Sequence, residues 1–537
     1  MRVPIRPPEP MCWASRCHFK ISINQYMKKI ISIILSGFSI LFFFSSCTKQ
    51  LDLSPVSSIS DANFWKTADQ FDAFVTGIHT SFRSHNTSFE YLGEMRADIF
   101  GTDPGSGSAF TGEATQGIEH MWLQTLDLDN ALVNNFGGFY NNIVQINLLI
   151  SELNNTNIVA AANKNYYLGI AHGMRAFYYF QMLRSWGAVV IQTDPVSNID
   201  IANLARPASS PDDVMKLVKA DIDSSVNSFG SDYSFKNSKS FWSKPATLML
   251  QAEVYLWTSY RGGGAGDATI AENALNDIQA NVPSLSLLPD YSSVFSTTNR
   301  GNNEIIFSIR YKLNEATMGF VSNTYAPQSG LISNFYDSAD NRQFNPTTDN
   351  WGGLLRAPIR ISTFRMFNDL DSRKWVTIQP AYNLVSGNYQ IAGCFVQKYP
   401  GEQNAGPRAF TNDYPIYRYA DLLLLKAEAE VILGQDPSNE MNLVRARAYG
   451  TNYDPAVYGY PNQAIDVNPQ EAILQERFFE FIFEGKRWYD LRRMGDSFVY
   501  EHTTLLQADS YKLLWPIDRS SLTNNRALVQ NTGYASF

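Results

Sequence analysis

The stretch Ile473–Gly495, ILQERFFEFIFEGKRWYDLRRMG, carries the reading that decides the fold. Just upstream, Asn468, Pro469 and Glu471 supply an N-cap, an N1 proline and a capping-box partner, so a helix is expected to begin there. Ile473, Leu474, Phe478, Phe481 and Ile482 recur at helical spacing and give that helix an apolar face. Glu476, Glu480 and Glu484 stand four apart, on one line of such a helix. Glu484 with Arg487, and Asp490 with Arg493, are three apart and can pair. An aligned row of carboxylates could serve acid–base chemistry. An ion-pair network tying helices together is the better reading.

The same grammar extends outward. Residues 420–433 place Ala420, Leu424, Ala427 and Val431 on one stripe, and Gly434 stops the helix. Residues 438–449 form a second helix, stopped by Gly450. In the N-terminal half, helical spacing recurs over residues 69–82, 139–153, 166–186, 244–260 and 268–280. Another helix opens at Ser210-Pro211, an N-cap followed by an N1 proline. Small residues at Ala171, Gly173 and Ala176 would let a neighbouring helix approach closely. Polar turns join these helices in pairs, and large residues on one could face Ala and Gly on the next, as in stacked two-helix repeats. Between residues 285 and 408 the texture changes. Residues 304–311 (EIIFSIRY) alternate like a strand, and Gly, Asn, Pro and Tyr become frequent. Long irregular segments of this kind are often functional. The expected fold is mainly α: a tetratricopeptide-like helical-pair scaffold over residues 61–284 and 409–537, with an irregular, partly β insert, residues 285–408, on one face.

The amino-terminal region reads as an export signal. Residues 27–46 begin with Lys28 and Lys29, run without charge from Ile30 to Phe44, and lead through two serines into Cys47. The apolar run is shorter than the roughly 20 residues that a spanning helix needs. A cleaved signal with lipidation at Cys47 therefore fits better than a membrane span, although Phe44 stands where such signals usually carry Leu. Residues 1–26 match no part of a signal, and Met27 is the preferred start. Residues 47–60 read as a lipid-anchored tether, ahead of a single domain over residues 61–537.

Composition narrows the function further. Of the 537 residues, 18% are charged, with a formal net charge of −8, so no nucleic-acid face is expected. Aromatic residues make up 13%, beside abundant Asn, Ser and Thr, a surface suited to neutral polar ligands. In the mature chain Cys394 stands without a disulfide partner and reads as a small buried hydrophobe. The six histidines show no metal-ligand spacing, so no metal site is expected. Residues 262–266 (GGGAG) lack the lysine of a phosphate loop and read as a turn.

Taken together, YPIYRYADLLLLKAEAEVI (residues 414–432), NLVRARAYG (442–450), Ile473–Gly495 and LLWPIDRSSLTNNRALVQNTGY (513–534) resemble the SusD/RagB family of Bacteroidota surface lipoproteins. Asp518 stands where that family commonly has proline. LDLSPVSSISDANFWKT (51–67), GIAHGMRAFYYFQMLRSWGAVVI (169–191) and RPASSPDDVMKLVKADID (206–223) are similar to the family's earlier blocks, in the same order. The resemblance implies a nutrient-binding lipoprotein of the outer membrane, facing the cell exterior. It would capture oligosaccharides and hand them to a SusC-like TonB-dependent β-barrel transporter, without covalent chemistry and without a cofactor. Peptide capture, as in the RagB branch, is a variant of this reading. A surface glycosidase using carboxylates such as Asp98 and Asp103 and a scaffold that binds only a partner protein are the other classes.

Sugars offer apolar C–H faces and many hydroxyls, which aromatic rings and Asn, Asp or Arg side chains can meet. Two regions could supply these. Residues 91–103 (YLGEMRADIFGTD) contribute Arg96 and Asp98; the insert contributes Tyr325, Trp351, Arg365 and Trp375. Trp351, in a polar run between Asn350 and Gly352, is the leading single candidate for a sugar platform. Asp- and Asn-rich loops would also permit a structural calcium ion.

Overall fold

The computed structural model describes residues 64–103, 110, 115–133, 135–195 and 205–537. The leader, the signal stretch, Cys47 and the tether lie outside these residues. The paired helices form as the periodicity predicts. Ala161–Trp186 packs on Pro211–Phe229, and Lys244–Thr258 packs on Gly264–Asn281, which in turn meets Tyr419–Leu433. Their ends follow local chemistry. The Ser210 hydroxyl accepts from the Asp213 N–H at 3.1 Å, with Pro211 behind it. Gly434 closes its helix in the left-handed conformation, φ 72°. The glycine-rich stretch divides: Gly262 and Gly263 lie in one wide turn, Ser259–Gly263, with Gly262 at φ 105°, and residues 264–266 open the helix Gly264–Asn281. The small residues do admit neighbours. Gly169 meets the Phe229 ring of the next helix, and Gly173 meets Thr247 of the helix Lys244–Thr258 as well as the Trp242 indole, which donates to Thr247 Oγ1 at 2.8 Å.

The fold is mainly α with a partly β insert. Ile305–Ile309 pairs antiparallel with Tyr414–Arg418, which delivers the chain into Tyr419–Leu433. A four-stranded sheet then rises from the insert, in the order Arg342–Gln343, Tyr336–Asp337, Ile378–Val385, Asn388–Val396. Its long hairpin turns through Ser386 and Gly387, both at positive φ, a two-residue turn with the twist that hairpins favour. Cys394 is buried on this hairpin. Residues Trp65–Phe537 form one compact unit. No helix among the described residues is long and apolar enough to cross a membrane.

The C-terminal charges settle into a network. The helix Pro469–Phe481 starts at Asn468, whose side chain accepts from the Glu471 N–H at 2.9 Å. The Glu471 carboxylate meets His502 at 3.0 Å and does not complete a capping box. The helix also ends sooner than its periodicity implies. Ile482 is extended, and Phe483 and Gly485 adopt φ of 67° and 66°. Glu484 thus leaves the line of Glu476 and Glu480, and it pairs with Lys398 (2.5 Å) and Arg418 (2.9 Å) rather than with Arg487. Asp490 and Arg493 do pair, at 2.8 Å. Arg418 is fully buried and also reaches Glu304 (2.8 Å) and Glu480 (2.5 Å). Arg447 meets Glu304 and Glu480; Arg373 meets Asp371, Glu476 and Glu480; Arg445 meets Glu476 and Asp466. A neighbouring cluster joins Asp421 to Arg477 and Lys486, each at 2.8 Å.

The turn after the helix is held from the other side. The Glu94 carboxylate accepts from the Phe483 N–H at 2.6 Å and from the Lys486 N–H at 3.1 Å, at the start of Arg487–Met494, where helix N-termini favour anions. Gly93 permits this approach, because a Cβ there would fall 1.7 Å from the Gly485 carbonyl oxygen.

Two outcomes follow from buried pairing. Arg418→Met strands Glu304, Glu480 and Glu484 without their shared cation, and is expected to lower stability by about 3–5 kcal/mol in denaturant unfolding. A loss below about 1 kcal/mol would mean that the network is hydrated and weak. Asp421 gives a pH test. Burial pushes its carboxyl up, but Lys486 and Arg477 outweigh burial and hold it at about 2, below the ordinary 3.8. A depressed folded-state value means that the stabilisation is complete above pH 3.8 and is lost as pH falls through about 2. The stability gap between the wild type and Asp421→Asn should therefore narrow over that interval, and a constant gap would count against this pairing.

Candidate ligand-binding face

The two segments singled out from the sequence meet in space. Phe100 and Ile359 form an antiparallel bridge, the Gly101 N–H donates to the Pro358 carbonyl (2.9 Å), and the Arg360 N–H donates to the Ile99 carbonyl (3.0 Å). Asp103 accepts from both the backbone N–H and the hydroxyl of Ser362. The short helices Ile361–Met366 and Ser372–Thr377 follow directly.

The six candidate side chains divide sharply. Arg96 is fully buried. It donates to Gln124 Oε1 at 2.8 Å and lies 4.3 Å from the Trp488 ring centre, and burial lowers its pKa to about 10. Burial pushes the Asp98 carboxyl up, but the Arg487 guanidinium at 2.8 Å outweighs it and holds the group below the usual carboxylate range. Tyr325 is also fully buried. Its ring stacks on Phe100 and its hydroxyl donates to Glu90 at 2.5 Å. Trp351, only 6% exposed, packs edge-on to Phe395 beneath the Arg408 guanidinium. The polar run around Trp351 suggested an open ring, but the strand Asn388–Val396 covers it through Phe395. Arg96 and Tyr325 are thus enclosed, Trp351 nearly so, and Asp98 keeps about a tenth of its side chain exposed (11%). Arg365 and Trp375 are exposed, Trp375 at 43%.

Residues 365–376 border two depressions. The smaller, about 340 Å³, is lined by Trp375, Gln397, Thr297 and Ser296. The Trp375 indole N–H donates to the Asp369 carbonyl at 2.9 Å, which holds the ring in place. Gln397 also lines this depression, with its Oε1 buried and without a hydrogen-bond partner. The larger depression, about 670 Å³, runs from Arg365 and Met366 to Tyr449, Tyr458, Asn462 and Phe479. Tyr449 and Tyr458 stack at 3.9 Å and 14°. Sequence reasoning missed Gln397 and this tyrosine pair. Tyr449 ends one helix and Tyr458 ends a single turn nine residues on, so only the chain reversal between them brings the rings together. Among the described residues, no group of His, Cys, Asp and Glu is arranged to hold a metal ion.

Residues 260–534 match the model of the SusD family. The chain is 26% identical over 546 residues to SusD-like protein P38 of Formosa agariphila, a match covering 94% of this chain and 98% of that protein. Over 130 residues it is 28% identical to starch-binding protein SusD of Bacteroides thetaiotaomicron, covering 23% of this chain and 22% of that protein. Its structure superposes on that of B. fragilis NanU with a TM-score of 0.83 and 42% identity, covering 90% of this chain and 99% of that one. From its first paired helices to its C-terminal charge network, the chain belongs to the SusD family.

Proposed function

We propose that this protein is a cell-surface lipoprotein, anchored through Cys47, that captures oligosaccharides and passes them to a SusC-like TonB-dependent transporter in the outer membrane. The observation that carries the reading is the exposed Trp375 ring, held by its indole hydrogen bond to Asp369 at the edge of a depression. An aromatic face takes the C–H side of a sugar ring. The named relative that binds starch supports a glycan as the class of ligand. Delivery to a barrel transporter rests on family membership. Binding without turnover agrees with the carboxylates weighed for catalysis, since Asp98 is held by Arg487 and Asp103 by Ser362.

The test is calorimetry of the mature chain with starch-derived, algal and host oligosaccharides. Trp375→Ala should weaken the bound glycan about tenfold, a cost of about 1.4 kcal/mol. Unfolding stability should move by less than about 0.5 kcal/mol, as expected for an exposed position. Unchanged affinity would remove Trp375 from the site. Release of shortened glycan products would replace the binding reading with an enzymatic one.

A further inference from the structure

The segment Arg356–Met366, RAPIRISTFRM, places three arginines within ten residues, and none meets a carboxylate among the described residues. Arg360 donates from Nε to the Phe100 carbonyl at 2.9 Å and so braces the backbone. Arg356 has a buried Nε without a partner. Arg365 stands exposed at the wall of the larger depression, with no hydrogen-bond or ion-pair partner among the described residues. Arg418 and Arg493, by contrast, are each paired with buried acids.

The acids around the depression are already engaged. Glu476 lies between Arg373 (2.6 Å) and Arg445 (3.0 Å), and Asp466 is on Arg445 (2.6 Å). Asp369 holds Lys374 (2.5 Å), and Asp103 accepts from the Ser362 N–H (3.1 Å). Arg365 is therefore surplus positive charge beside aromatic walls formed by the Tyr449–Tyr458 stack and Phe479. A guanidinium is a planar fork that matches a carboxylate or sulfate in two-point contact, and it is less strongly hydrated than an ammonium.

We propose that this depression selects glycans carrying an anionic substituent, a carboxylate or a sulfate, with Arg365 as the counter-charge and the tyrosine stack as the wall for the sugar ring. The proposal rests on the glycan-capture reading and adds to it a second subsite, at the larger depression, that reads the ligand's charge.

The experiment is calorimetry of the mature full chain with three probe sets of matched length: neutral oligosaccharides, carboxylated oligosaccharides of the uronic- and sialic-acid types, and sulfated oligosaccharides. An acidic oligo-glutamate peptide is run beside them. One acidic set should bind best, more weakly as salt rises. Arg365→Gln should cost at least about tenfold on that set alone, and Arg365→Lys should recover part of the loss. The carboxylated and sulfated arms identify which anion is read. Equal binding of neutral and acidic sets, or Arg365→Gln without effect, overturns the proposal and leaves glycan capture standing. Preference for the peptide overturns it in favour of a protein ligand. Binding of no glycan by a folded chain overturns both readings.

Discussion

The structure depends on a buried cation, Arg418, held at once by Glu304, Glu480 and Glu484. Ions removed from water are costly, and the cost is met only when every partner is in place. The partners here come from separated parts of the chain. Glu304 precedes the first strand of the insert, Glu480 ends a C-terminal helix, Glu484 follows a sharp turn, and Lys398 leaves the hairpin. A slip of any one element would leave a charge unpaired in a low-dielectric interior. The network thus sets the position of the insert against the helical scaffold, beyond what apolar packing alone would require.

That constraint reaches the ligand-binding face through one short helix. In Ser372–Thr377, Arg373 points inward and is 1% exposed, bound to Asp371, Glu476 and Glu480. Two residues later Trp375 points outward. One turn of helix anchors in the charge network and presents a ring to solvent. Residues 98–103 brace the preceding stretch through the Phe100–Ile359 bridge. The candidate side chains of this face are thereby held by rigid elements on two sides, an arrangement that would limit the ordering cost of binding.

Much of this was legible in the sequence, for reasons that are local. Helical period, N-caps such as Ser210 and Asn468, and the stop at Gly434 act over a few residues, and the paired helices follow from them. The ion-pair role of the C-terminal charges was also readable from type and spacing. The partners were not. Glu484 was expected to meet Arg487, three residues on, but the left-handed turn at Phe483 rotates it toward Lys398 and Arg418. Arg487 instead holds Asp98, from the other end of the chain. The hairpin over residues 378–396 was also missed, although Ser386-Gly387 between alternating residues is a hairpin signal.

The sequence by itself determined the helical pairs, the place of the insert and the kind of chemistry on its surface, because period, capping and side-chain type act within a few residues. Only the tertiary structure decided which of the candidate side chains stay exposed. Arg96, Asp98, Tyr325 and Trp351 have the right chemistry but are enclosed by partners distant in sequence, namely Trp488, Arg487, Glu90 and Phe395. Arg365, Trp375, Gln397 and the Tyr449–Tyr458 stack come to line the open depressions because burial is a property of the assembled chain, and no local pattern records which face of a loop its distant neighbours will cover.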